Sequence, residues 1–274
     1  MKIATLHMLG AVLACTFAAS TAMAYDEISE AVGAKGGGFL GLGISYRPDY
    51  EGSDHNEGYL APFARYNMAS GRYISLGGTS GSERAARLKM NILTSDTAWE
   101  VGPVLQYRLK RGGEVENSDV SHMQTVPAEN EAGGFVGWHL NQLLLSVTGV
   151  YDISGNSDGS LIYLNGNYRL PVTKRFELAL GAQATWASND YMGAYFGVSP
   201  SDARNSGLPQ YDANSGWKDA GLGLTAHYKF TKTWGVLGNV AYSRMLNDAA
   251  DSPVVKDVGN KDQYTAIVAL TYSF

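Results

Sequence analysis

Tyr264-Thr-Ala-Ile-Val-Ala-Leu-Thr-Tyr-Ser-Phe274 closes the sequence and alternates in character. In an extended chain Tyr264, Ala266, Val268, Leu270, Tyr272 and Phe274 share one face, because successive strand residues point to opposite sides. The same period of two runs back through the chain. Trp99, Val101, Pro103, Leu105, Tyr107 and Leu109 alternate with Glu100, Gly102, Val104, Gln106 and Arg108. Phe176, Leu178, Leu180, Ala182, Ala184 and Trp186 repeat the pattern, as do Ala220, Leu222, Leu224, Ala226, Tyr228 and Phe230. One face of each segment suits oil and the other water. These runs exceed the roughly five or six residues of a soluble strand and match the roughly 9 to 11 that cross a bilayer at a tilt.

Applied throughout, the period predicts strands at 37–46, 58–67, 72–78, 85–93, 98–109, 132–140, 143–153, 160–170, 175–187, 218–230, 234–245 and 262–274. The number is even, as a single-chain bacterial barrel needs if both ends lie in the periplasm. Short links at 68–71, 94–97, 141–142, 171–174 and 231–233 alternate with longer ones at 47–57, 79–84, 110–131, 154–159, 188–217 and 246–261. The expected fold is all-β: a transmembrane antiparallel up-and-down β-barrel of about 12 strands, with both termini periplasmic. A soluble sandwich also alternates, but it explains neither the strand length nor the rhythm of the loops. Aromatic residues fall near strand ends, where a membrane interface favours them. Trp99, Phe176, Trp234, Tyr272 and Phe274 form one expected girdle; Tyr46, Tyr107, Tyr151, Trp186, Tyr242 and Tyr264 form the other. Pro62 and Pro103 are expected at bulges or beyond misdrawn strand limits, since proline cannot complete a ladder.

Composition agrees. The 274 residues include 33 Gly, 17 Tyr and 5 Trp but only 17% charged residues, and the net charge is −5. No basic run offers itself to nucleic acid. Lys2, the apolar stretch from Ile3 to Ala19 and Ala22-Met23-Ala24 read as a secretory signal cleaved between Ala24 and Tyr25. Val12-Leu13-Ala14-Cys15 only loosely resembles a lipobox, with Leu13 where a small residue is usual. Cleavage removes Cys15, the sole cysteine, so disulfides play no part in the mature fold. The expected organisation is a leader at 1–24, a short periplasmic segment at 25–36 and an outer-membrane barrel at 37–274 in a Gram-negative cell, bathed in outer-membrane lipid. Tyr264, Val268, Leu270, Tyr272 and Phe274 resemble the terminal signal read by the barrel-assembly machinery.

Several outer segments resemble the MltA-interacting protein family, also called the MipA/OmpV family. They are Tyr46-Arg-Pro-Asp-Tyr-Glu-Gly-Ser53, Tyr195-Phe196-Gly197-Val-Ser199-Pro200 with Ser206-Gly207-Leu208-Pro209 and Tyr211, Gly216-Trp-Lys-Asp219, and Asp248-Ala-Ala-Asp-Ser-Pro-Val254. The resemblance implies an outer-membrane scaffold, with a lytic murein transglycosylase and a bifunctional penicillin-binding protein as partners. Members of the family it resembles are also described as adhesins, porin-like proteins or antibiotic-responsive proteins. The expected topology leaves little periplasmic platform, so a small-solute channel and a surface adhesin remain alternatives.

Arg65, Arg87, Lys89, Glu100, Arg108, Glu177, Asp219, His227 and Lys229 fall on the expected lumen face, where they form either a self-neutralising interior or a selective constriction. The loop at 188–217 is long enough to plug such a lumen. No nucleophile motif, metal-ligand spacing or cofactor motif appears, so no enzyme activity and no cofactor are expected. His139 and His227 could meet Ser146, Asp152 or Asp219, but hydrogen-bonded lumen histidines are the simpler reading. Glu114, Glu116, Asp119, Glu129 and Glu131 read as one solvated acidic loop.

Overall fold

Each strand of the barrel pairs with its sequence neighbours, and β1 closes the ring on β12. The computed structural model describes residues 36–79 and 82–274. The expected leader at 1–24, the expected Ala24/Tyr25 cleavage point and residues 25–35 lie outside the described residues.

The strands are β1 Gly37–Pro48, β2 Asn56–Asn67, β3 Tyr73–Gly78, β4 Ala85–Asn91, β5 Trp99–Arg108, β6 Glu129–Leu140, β7 Leu143–Asp152, β8 Ser160–Pro171, β9 Phe176–Ala187, β10 Gly216–Lys229, β11 Trp234–Met245 and β12 Asp262–Ser273. All twelve expected strands are present and all neighbours are antiparallel. The outward face is apolar: Leu42, Ile44, Leu222, Val268 and Tyr264 are all exposed. A soluble protein would bury such residues; a membrane-spanning barrel presents them to lipid. Rings cluster at both ends of this band. Trp99 stacks on Trp138 at 6.1 Å and Trp234 packs on Tyr272 at 5.0 Å, while Tyr242 meets Tyr264 at 5.3 Å at the opposite end.

Turns T1 to T5 (68–72, 92–98, 141–142, 172–175 and 230–233) lie at the end where β1 starts and β12 stops. Loops L1 to L6 (49–55, 79–84, 109–128, 153–159, 188–215 and 246–261) lie at the other. The length contrast rests on L3, L5 and L6. T2 is longer than expected because β4 stops at Asn91, whose Oδ1 accepts from the amides of Leu93 and Val101, each at 3.1 Å, and so ends the ladder. Among the described residues five short helices sit in the loops: α1 Ser118–Ser121, α2 Asn189–Phe196, α3 Pro200–Ser206, α4 Asn247–Asp251 and α5 Pro253–Lys256.

The prolines do not mark bulges. Pro62 stands opposite Leu42 in regular register and lies just beyond the β2/β3 ladder, which starts at Ala64. Pro103 likewise lies one step past the β4/β5 ladder, which ends at Val104. Each strand position therefore lacks a partner that would need the missing N–H. The irregularity falls instead in β10, where the register with β9 shifts between Trp217 and Asp219.

Candidate functional site

That bulge organises the interior. An extra residue lets two consecutive side chains share one face, so Lys218 and Asp219 are both buried while Trp217 points outward. Lys218 Nζ reaches Asp219 Oδ2 at 2.6 Å, Glu51 Oε2 at 2.7 Å and Glu83 Oε1 at 3.1 Å. Glu51 and Glu83 arrive on L1 and L2, which fold into the barrel mouth. Across the lumen Arg108 holds Glu131 at 3.1 Å, Glu51 at 3.2 Å and Glu83 at 3.5 Å, with Glu129 at 4.0 Å. The cluster thus joins two cations to five carboxylates. Its surplus acidity is offset by neutral donors: Tyr163 donates to Glu83 at 2.6 Å, Tyr191 to Glu51 at 2.6 Å and Thr185 to Asp219 at 3.1 Å. Gln106 donates to Glu131, and Arg87 stacks on Tyr163 at 4.2 Å. Burial pushes the Glu83 carboxyl up, but Lys218 and Arg108 beside it outweigh burial and hold it well below the usual carboxylate range.

Loop L5 supplies the lid of this chamber. Ser199 caps α3 by accepting from the amide of Asp202, whose carboxylate accepts from the Ser199 amide in return, and Pro200 starts the helix. Gly207 ends it in the left-handed conformation, φ +81°, where glycine costs least. Gly197 packs tightly against the end of α2, since a side chain there would lie 2.4 Å from the Gly193 carbonyl. The segment from Tyr195 to Pro209 is therefore a folding instruction: helix, turn, capped helix, turn. It directs Tyr191, Met192, Tyr195 and Phe196 into the barrel, where they pack on Val150, Leu161, Ala187 and Met245. Tyr191 stacks on Tyr195 at 4.4 Å and lies 5.0 Å from the Arg108 guanidinium. Leu208 joins Tyr50, Val115, Val120, Met123, Val198 and Val254 in a second apolar cluster built from four loops, while Pro209 is exposed. Cross-loop bonds tie them further: Glu116 N to Asp49 at 2.7 Å, Gln124 N to Asp202 at 2.6 Å, and Ser252 Oγ to the Phe196 carbonyl at 2.6 Å.

The remaining lumen residues form separate groups. Glu100 accepts from Tyr73 at 2.7 Å, meets His139 at 2.9 Å and has Lys89 at 3.8 Å; Arg65 lies over the Tyr73 ring at 3.6 Å. Arg169 pairs with Glu177 at 2.7 Å, and His227 bonds Thr271 at 3.0 Å beside Phe39. Lys229 is half-buried at the end of β10. Asp152 is taken up by the amides of Ser154, Asn156 and Ser157, and Asp219 by Lys218. Neither is bonded to a histidine, and among the described residues no cluster of His, Cys, Asp and Glu has a metal-binding arrangement.

Two residues placed in a solvated acidic loop by sequence belong elsewhere. Glu129 and Glu131 lie on the inner face of β6 and are buried. Their alternation with Gly133, Phe135, Gly137 and His139 carries the strand period two steps further back, which is the signal that identifies them. Glu114 and Glu116 are exposed.

The model of the family described as MltA-interacting protein MipA matches residues 40–274. The chain belongs to this MipA family. The "MltA-interacting protein" of Escherichia coli (strain K12) is 32% identical over 130 residues, covering 45% of this chain and 48% of that protein. The "Putative outer membrane protein YiaT" of the same strain is 22% identical over 161 residues, covering 58% and 63%. The aligned stretches thus span about half to two thirds of these relatives' lengths. Among solved structures, the NanC porin aligns over 85% of this chain and 98% of its own at 12% identity, TM-score 0.47. The translocator domain of the autotransporter NalP from Neisseria meningitidis aligns over 91% and 95% at 11% identity, TM-score 0.46. Family and barrel together establish an outer-membrane protein. Within the MipA family match lie both the segment that builds the lid and the bulge that turns Lys218 inward.

Proposed function

We propose that this barrel is a closed, non-enzymatic scaffold that holds murein-processing enzymes at its short-turn end, taken as periplasmic. The observation that carries the reading is the filled mouth: α2, L1 and L2 converge on Lys218 and Arg108, each nearly inaccessible to solvent. A wall built this way does its work through its surfaces rather than through a pore. The name of the 32% identical relative supplies the partner class, a lytic murein transglycosylase, and the family resemblance adds a bifunctional penicillin-binding protein. The turns alone could reach the roughly 800 Å² per partner of a standard interface only by pooling most of one barrel end, so the segment at 25–36 would contribute to docking.

Photo-crosslinkers at Arg72, Thr97 and Asn141, on T1, T2 and T3, should capture a murein hydrolase or synthase in growing cells. Recovery of such enzymes only from positions on L3 or L5, or from none, would refute the scaffold. The channel alternative predicts discrete steps in planar bilayers, whereas the filled mouth predicts electrical silence. A cleft of about 340 Å³ between L3, L4 and L5, lined by Thr125, Asn156, Ser199, Asp202 and Asp212, favours surface binding as a second reading. Loss of ligand or surface adhesion on deleting L5, with the barrel still assembled, would support it.

A further inference from the structure

Four cations at the short-turn end have no carboxylate within ion-pair distance among the described residues. Lys174 and Arg175 occupy T4, Lys232 occupies T5, and Lys229 is the last residue of β10. The Lys229 amide donates to the Arg175 carbonyl at 2.8 Å, so the two turns lie side by side. Their neighbour Arg169 is already engaged by Glu177. The other three turns carry only Arg72 and Asp96 between them. In a chain of net charge −5, positive charge is therefore gathered beneath one side of the barrel.

The surroundings say what this charge faces. Val172, Phe230 and Trp234, on the same two turns and the start of β11, are exposed on the outer surface, and Trp234 packs on Tyr272 within the aromatic girdle. Such rings sit at headgroup level, so Lys174, Arg175 and Lys232, exposed on the same two turns, stand where lipid phosphates lie, while Lys229 adds its charge from the inner face. We propose that the T4/T5 rim binds the headgroup of an anionic phospholipid. The apolar neighbours favour a lipid over a soluble acidic protein, which would have to cover residues suited to acyl chains. The open rim likewise favours an anchored headgroup over free phosphate, which would have only mobile point charges to hold it. This inference concerns T4 and T5 and is independent of whether T1 to T3 dock a murein enzyme.

The test uses the full-length protein, refolded and reconstituted in nanodiscs of mixed phosphatidylglycerol and phosphatidylcholine, with retained lipid read by native mass spectrometry. Basic residues near a membrane each contribute enough attraction for about a fivefold preference, so three together should enrich the anionic lipid by at least about tenfold. The exposed substitutions Lys174→Gln, Arg175→Gln and Lys232→Gln, combined, should reduce the ratio to that of the bulk mixture, whereas Arg72→Gln should leave it unchanged. A heat-modifiable band on gels verifies folding of each variant. Should the triple variant fold poorly, Lys232→Gln alone should lower the enrichment, and added salt should lower it in the unsubstituted protein. No enrichment in the unsubstituted protein, or full enrichment in the triple variant, overturns the proposal. Displacement by millimolar inorganic phosphate would assign the site to a free anion, and displacement by polyglutamate to an acidic protein; either outcome also overturns it.

Discussion

Lys218 Nζ lies 2.7 Å from Glu51 Oε2, linking a bulged residue of the barrel wall to a loop that folds in between β1 and β2, three strands away round the ring. The same ammonium holds Glu83 and Asp219. Removing one partner of a buried ion cluster leaves the others uncompensated, at a cost of about 3–5 kcal/mol. Lys218→Met should therefore release L1 and L5 while leaving most of the sheet intact. Limited proteolysis should cut L5 at least tenfold faster than in the unsubstituted protein, and adding Glu83→Gln should restore part of the protection. Equal cleavage rates would show that the cluster does not hold the cap.

Removal of the lid should have an electrical consequence. Tyr191, Met192, Tyr195 and Phe196 fill the mouth with apolar surface, and polar lumen walls without such a filling admit water. The filled barrel should be silent in planar bilayers, and replacing residues 189–213 with a short Gly-Ser link should give discrete conductance steps. A silent deletion variant that is still folded would place the closure deeper, at Phe39, Phe63, Leu237 and Ile267.

Acid should loosen the cap in a defined window. Glu83 is held at about 2, below its ordinary value of 4.5, because Lys218 and Arg108 outweigh the upward push of burial. The folded state then binds fewer protons than the unfolded chain between those two values. Its contribution to stability is complete above the ordinary value and is lost as pH falls through the folded one. Protection of L2 and L5 in hydrogen exchange should hold at neutral pH and decline as the medium is acidified from about 4.5 towards 2. Glu83→Gln should weaken that decline; an unchanged profile would remove Glu83 from the acid response.

The barrel was legible in sequence because the period of two and the girdle rings survive into the structure almost strand for strand. The ion cluster was legible only in part. Arg108 and Asp219 obey the period and are found by it. Lys218 does not, since a bulge inserts one residue and no side-chain pattern marks the step. Glu51 and Glu83 lie in loops, whose inward fold depends on contacts far apart in the chain. The Tyr195–Pro209 segment was recognisable as a family motif, but its physical content, a capping box followed by a left-handed glycine, becomes visible only with backbone angles in hand.

The closing seam gives a final test, at the residue where the sequence ends. Gly38 and Phe274 exchange backbone hydrogen bonds of 2.9 and 3.0 Å, and the Phe274 ring covers Gly38 so closely that a Cβ there would lie 2.1 Å from Cζ. The ring continues a row through Tyr272, 6.2 Å away, to Trp234. Gly38→Val must push the ring off the seam, because its backbone anchors leave only the side chain free to move. Loss of one aromatic contact costs about 0.5–1.5 kcal/mol, so refolding into detergent should yield a barrel that unfolds at lower urea concentration. Phe274→Ala should lose a similar amount by removing the same ring. The two substitutions act on one contact and should be non-additive, the double variant falling no lower than Phe274→Ala alone. Additive losses would mean that Gly38 matters to the seam for a reason other than seating Phe274.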